Sequence, residues 1–419
     1  MNEILAIWAE WIKPSAGLPT VQWSFLLALA AAAGHLVNRY TGLPQVIGYS
    51  AIGAFAGLAG FNGAVWPLQG IGLFLLELGV AVVLFEAGGR ISLRWFRHNP
   101  MVLVQSLAES TLTFFLVGWV LGQMGVGKVV AESLALLAMA ASPAVLSRVA
   151  IDTRAAGPVT ERALVLSTLS TLYALTLCSA RAGLIPQGET GLNSTLMPVL
   201  VVLGLSFVVG AVLALTLRIA LGVMSPTSEN TAILLLTLIA AGAALAANFG
   251  GSAPLAALLG GMLLKQLNPR PWSWPRQMGT ASSMLTMLMF VLVSVVTAQG
   301  DWSRPVAGLV IALVAARMVA KIAGVALGNA GSGTSWMQGL WVGCAMLPMS
   351  SVALLLVSQY VAASAPIGGQ IAIIALPAIL LMEVLGAVLA TVALYRAGEC
   401  STSWVPLARS TSTGPVHES

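Results

Sequence analysis

Apolar runs of about 17 to 25 residues recur along this chain from near Val21 to Leu394, and nothing else in the sequence restricts the fold as severely. In hydrocarbon every backbone N–H and C=O needs a partner inside the protein, so runs of this length cross as helices. With 58% hydrophobic and 8% charged residues and a mean hydropathy of +0.93, the chain reads as an all-α polytopic membrane protein with no soluble domain. Thirteen spans are expected, near 21–39, 44–61, 69–89, 101–122, 130–150, 163–183, 194–217, 230–248, 252–265, 281–299, 305–328, 335–359 and 370–395. The ninth is short; Phe249-Gly250-Gly251 before it and Gly260-Gly261 within it predict a tight helix hairpin and close packing. The organisation is then an N-terminal interfacial segment (1–20), a transmembrane domain (21–395) and a short cytoplasmic tail (396–419). Glu3, Glu10 and Lys13 lie among apolar residues without a basic region ahead of a small-residue cleavage site, so a removable signal peptide is not expected.

The formal charge of +5 does not indicate nucleic acid, because the basic residues are distributed by side of the membrane. Thirteen of the nineteen Lys and Arg residues follow odd-numbered spans, four lie on the other side, and Arg317 and Lys321 lie within a span. The positive-inside rule places the N-terminus outside and the C-terminus in the cytoplasm, in a bacterial-type inner (plasma) membrane. Three cysteines, two of them inside spans, make no disulfide framework. His35, His98 and His417 are scattered, so no metal site, cofactor or enzymatic constellation is expected.

Two spans are interrupted at mid-depth, at Ala141-Ser142-Pro143-Ala144 and at Leu347-Pro348-Met349-Ser350-Ser351. They are the fifth and the twelfth, seven apart, so spans 1–6 and 8–13 superpose as two six-helix units with span 7 between them. An odd linker inverts the second unit and brings the broken helices 5 and 12 face to face at the midplane. Matched interruptions of this kind point to the substrate site of a secondary transporter. An ordinary proline kink in each span is the plainer alternative.

Several segments carry a family resemblance, covering roughly 40–395. Leu43-Pro44-Gln45-Val46-Ile47-Gly48-Tyr49 resembles the Leu-Pro-x-Val-x-Gly-Tyr second span of the monovalent cation:proton antiporter superfamily, in its cation:proton antiporter-2 branch of Kef-type and NapA-type exchangers. Leu76-Glu77-Leu78-Gly79-Val80 with Leu84-Phe85 resembles that family's third span. The stretch from Leu245 to Gly261 is similar to its Gly-x-Ser-x-x-x-Gly-Ala-Phe-x-Ala-Gly signature, without the phenylalanine. The resemblance implies a homodimer, a scaffold, and a mobile core of spans 4–6 and 11–13 that moves as an elevator. It also implies exchange of a monovalent cation for protons, using acidic residues on the sixth span and, in many members, a lysine on the eleventh. Lys321, in Ala320-Lys321-Ile322-Ala323-Gly324, matches that lysine's context.

The sixth span departs from the pattern. Leu172 and Tyr173 occupy the acidic positions, and no carboxylate lies between Arg162 and Arg181. The Arg-Gly-Glu of some relatives beside the twelfth-span break is replaced by Pro348-Met349-Ser350-Ser351, and Arg90 stands where a glutamate is frequent.

A charge at the bilayer centre costs at least about 2.5 to 3.5 kcal/mol, so each intramembrane ionisable group is a functional candidate. Glu109 on span 4, Arg317 and Lys321 on span 11, and Glu383 on span 13 fall in the expected core; Glu77 on span 3 falls in the scaffold. In one reading Glu109 and Glu383 permanently neutralise Lys321 and Arg317. In the other, Glu109 or Glu383 takes over the missing aspartate's role, with cation and proton competing for it. Arg317 and Lys321 share a helix face, so one carboxylate could meet both, and Glu86 and Arg90 are spaced for a helix-face ion pair. Ser167, Ser170, Thr171 and Cys178 follow helical spacing as a hydroxyl stripe toward the breaks, unless they bond back to their own helix.

The reading favoured is a secondary active transporter of antiporter fold, exchanging sodium or potassium for protons. Its substrate would lie among Ser142, Pro143, Ser167, Ser170, Thr171, Tyr173, Pro348, Ser350 and Ser351. Two alternatives stay open. One is a carrier of a small anion or polar solute, drawn by helix N-termini with Arg317 and Lys321. The other is a non-transporting scaffold or sensor.

Overall fold

Proline and serine set where the helices begin. The computed structural model describes residues 20–61, 63–91, 96, 99–187, 192–224, 228–268, 276–329 and 332–401. Among the described residues proline occupies the first turn of five helices, where its missing N–H leaves no bond unmade and its fixed φ suits the turn. The helices are α1 Thr20–Thr41, α2 Gln45–Leu58, α3 Gly70–Arg90, α4 Met101–Gln123, α5 Lys128–Met139, α6 Pro143–Asp152, α7 Pro158–Leu184 and α8 Leu192–Val223. They continue as α9 Glu229–Asn248, α10 Ala253–Leu267, α11 Arg276–Ala298, α12 Arg304–Leu327, α13 Trp336–Ala345, α14 Ser351–Ala363 and α15 Ala365–Arg396. The expected interfacial segment, up to residue 19, and the tail from 402 onward lie outside the described residues.

Among the described residues ten segments are long and apolar enough to cross a membrane, one of them the α5–α6 pair taken together. The shorter α2 and α10, and the α13–α14 pair, complete the thirteen expected spans. The hairpin expected at Phe249-Gly250-Gly251 is formed between α9 and α10, with Gly250 at φ +82°.

The inverted repeat is visible in who packs on whom. Spans 1–6 are α1–α7, spans 8–13 are α9–α15, and α8 joins them. Helix α2 packs on α11 and helix α10 packs on α3, so each unit's second span lies against the other unit's third. The fourth spans, α4 and α12, are each other's partners. Small residues permit these approaches. A Cβ on Gly53 would come 2.7 Å from the Val291 carbonyl oxygen of α11, and one on Gly328 would come 2.7 Å from the Gln105 Cα of α4. Gly324 lies directly against the Glu109 backbone, and this contact sets the α12 side chains beside Glu109.

Candidate functional site

Helix α5 stops at Met139 and α6 starts at Pro143; α13 stops at Ala345 and α14 starts at Ser351. Each break leaves two kinds of backbone orphan, carbonyls on the incoming half and N–H groups on the outgoing half. The partial charge is negative at the former and positive at the latter.

Two buried bases on α12 take up the carbonyls. Arg317 donates from Nε to the Ala138 carbonyl at 2.9 Å, from Nη2 to Ala140 at 2.7 Å and from Nη1 to Leu347 at 2.5 Å. One guanidinium therefore ties both breaks together, and they do face each other at its reach. Its planar fork places donors on three separate nitrogens, whereas an ammonium's three donors radiate from one. Lys321, one turn on, donates to the Met139 carbonyl at 2.9 Å and to Glu109 Oε2 at 2.8 Å. Both members of this ion pair are fully buried.

The outgoing halves are met by oxygen. Ser142 caps α6 by accepting from the Val145 N–H at 3.4 Å, with Pro143 in the first turn. At the second break the Ser350 hydroxyl donates to Glu383 Oε2 at 2.8 Å, which puts a carboxylate close to the positive end of α14. Glu383 Oε1 also accepts from Ser294 of α11 at 3.1 Å and from Ser50 of α2. Glu383 is fully buried, and among the described residues it forms no ion pair. Gly386, one turn along α15, lies against the Pro348 backbone, where an added Cβ would come within 2.5 Å of the Pro348 Cα. This contact pins α15 to the break.

The expected pairing of two acids with two bases is thus half realised. Glu109 meets Lys321, but Glu383 does not meet Arg317, because the guanidinium's donors go to the orphan carbonyls, which need a donor that a carboxylate cannot supply. Nor does one carboxylate hydrogen-bond both bases: Glu109 takes Lys321 together with the hydroxyls of Ser110, at 3.0 Å, and Ser170.

The hydroxyl stripe of α7 divides. Ser170 bonds back to the Leu166 carbonyl at 2.8 Å and also reaches Glu109, and Thr171 bonds back to the Ser167 carbonyl at 2.7 Å and also reaches the Ala141 carbonyl in the first break at 2.8 Å. Ser167 bonds back to the Leu164 carbonyl at 2.9 Å. Cys178 is buried, and Tyr173 is half-buried beside Ser106 of α4. Pro348 and Ser351 are buried in the second break, and Glu77 is half-buried on α3.

Glu86 and Arg90 do not pair with each other. Glu86 accepts from Ser282 of α11 at 2.9 Å, and Arg90 donates to Ser147 of α6 at 3.0 Å, since both neighbouring helices offer hydroxyls. These groups line a cavity of about 230 Å³, together with Pro143, Arg148, Thr168 and Thr286. Beside it Arg148 donates to Gln45 at 2.5 Å, and Asp152 accepts the Gln45 N–H at 2.8 Å, closing the start of α2 against α6.

Ser50 and Ser294 were missed from the sequence. Each is a lone serine in a largely apolar stretch, a signal that the search for charges passed over.

The transmembrane model of the sodium/hydrogen exchanger family matches residues 25–395. The fold is similar to that of the sodium proton antiporter MjNhaP1 from Methanocaldococcus jannaschii. One structure of it agrees with a TM-score of 0.66 at 16% identity, over 89% of this chain and 97% of that one. An electron-microscopy structure of the same antiporter gives 0.61 at 18% identity, over 96% of each chain. No curated protein matches the sequence.

Proposed function

Because the chain belongs to the sodium/hydrogen exchanger family, within the monovalent cation:proton antiporter superfamily, we propose that it exchanges sodium or potassium for protons across a bilayer. The observation that carries this reading is the unequal state of the two buried carboxylates. Glu109 is held by Lys321, whereas Glu383 has three hydroxyls and no base. A buried carboxylate without a cation is unfavourable when ionised, so it takes up a proton or a small cation. Glu383 is therefore the exchangeable group, and Glu109 with Lys321 and Arg317 holds the crossing of the breaks.

In this reading α4–α7 and α12–α15 form the core that moves as an elevator against α1–α3 and α8–α11, in a homodimer. The membrane is a bacterial-type inner membrane, with the N-terminus outside and the C-terminus inside, as the charge bias supports. The cavity at Pro143 then opens to the cytoplasm. The anion alternative would need Arg317 or Lys321 to face a ligand, and both are turned to protein oxygens.

Proteoliposomes carrying a luminal pH dye test the proposal. Sodium or potassium added outside is expected to discharge an imposed proton gradient, with Glu383→Gln inactive. No response to sodium, potassium or lithium from pH 6 to 9 would overturn it.

A further inference from the structure

Four oxygen-bearing side chains from four places in the chain meet at one buried point: Ser50 of α2, Ser294 of α11, Ser350 at the start of α14, and Glu383 of α15. All four are buried. A carboxylate that needed only to be neutralised would be given a base, as Glu109 is given Lys321 beside its two hydroxyls. Here three hydroxyls converge instead, and a hydroxyl can reverse its role, because it carries one donor and two lone pairs. With the site empty of cation the hydroxyls donate to the carboxylate. With a cation present they can rotate and offer lone pairs, so that carboxylate and hydroxyl oxygens together replace a hydration shell.

We infer that Glu383, Ser50, Ser294 and Ser350 form a binding site for a dehydrated monovalent cation, shared between the α2–α11 pair and the α14–α15 pair. The inference rests on the exchange reading above and deepens it by naming the ligands. One carboxylate matches one positive charge; a divalent ion would call for more charged oxygen than the site holds. The α14 N-terminus, opposing a cation, raises the need for the carboxylate. The cavity reaches Thr286 of α11, and Ser294 lies eight residues deeper along that helix, about 12 Å of rise, behind buried side chains.

The shared geometry has a consequence for coupling. Two ligands belong to α2 and α11, and two move with α15 and the second break. Sliding one pair past the other strips Ser50 and Ser294 from the ion and leaves Ser350 and Glu383, so the cation is held tightly in one arrangement only.

Thermal melting of the full chain in detergent, with lithium, sodium or potassium chloride against choline chloride at equal ionic strength, tests the site alongside the exchange assay. Wild type is expected to be stabilised by at least one of the three cations. Ser50→Ala, Ser294→Ala and Ser350→Ala should each raise its half-saturating concentration roughly tenfold, the worth of one ligand. Glu383→Gln should abolish the response. Three separate hydroxyl deletions guard against one of them failing to fold, which size-exclusion chromatography would reveal. If the folded serine variants and Glu383→Gln respond to cation as wild type does, the site is overturned, whether or not wild type exchanges cations for protons. If wild type binds cation through these residues yet exchanges nothing, the site stands and the exchange reading falls.

Discussion

Lys321 and Arg317 lie one turn apart on α12, share its buried face, and answer different needs. Lys321 neutralises Glu109, and Arg317 satisfies backbone carbonyls that the two breaks set free. The difference predicts unequal rescue. Glu109→Gln or Lys321→Gln alone leaves a lone buried charge and should cost about 3–5 kcal/mol, whereas the double variant should recover most of that. Melting of the three variants in detergent checks it; additive losses would show that the two side chains do not act as a pair. The sequence put Glu109 and Lys321 on repeat-related spans, so their meeting was readable there. That Arg317 would choose carbonyls over Glu383 was not, because a carbonyl freed by a break has no one-letter code.

At the scale of the element, a cap from far along the chain deserves weight beside the breaks. After α15 ends at Arg396, Glu399 turns back to the start of α7, accepting the N–H of Val159 and of Thr160, each at 2.7 Å, and the Thr160 hydroxyl at 2.6 Å. A carboxylate at a helix N-terminus satisfies orphan donors and complements the dipole. Next to it the Cys400 backbone forms an antiparallel β-bridge with Ala155, and burial pushes the free thiol above the ordinary range. The raised value keeps the sulfur protonated, and hence slow to react, at neutral pH. Glu399→Ala should cost about 1 kcal/mol and speed alkylation of Cys400 several-fold, read by mass spectrometry of the iodoacetamide adduct. An unchanged rate would mean that the strap stays in place without its carboxylate. Nothing in the sequence around Glu399 marks it as a cap, since the helix it serves begins some 240 residues earlier; the breaks, by contrast, were marked by Ser-Pro and Pro-Met-Ser-Ser in the spans themselves.

Across the whole molecule, orientation is the property read from charge alone. In a background with its three cysteines replaced by serine, Lys128→Cys should be labelled by an impermeant maleimide in intact cells, and Arg39→Cys only after lysis. The reverse pattern would invert the protein and put the cavity at Pro143 outside. The thirteen spans, the two broken helices and their inverted relation followed from hydropathy and from proline and hydroxyl placement, because a membrane helix satisfies its own backbone and so announces itself locally. The resemblance in spans 2, 3 and 9 agreed with the family and the fold. The arrangement at the centre depended on packing. Ser50, Ser294, Ser350 and Glu383 are separated by up to 333 residues and come together only when α2, α11 and α15 close on one another. A buried polar atom is paired by whichever group the packed helices bring within reach. Local pattern therefore decided which segments cross the membrane, and the assembled bundle decided which carboxylate was left without a base.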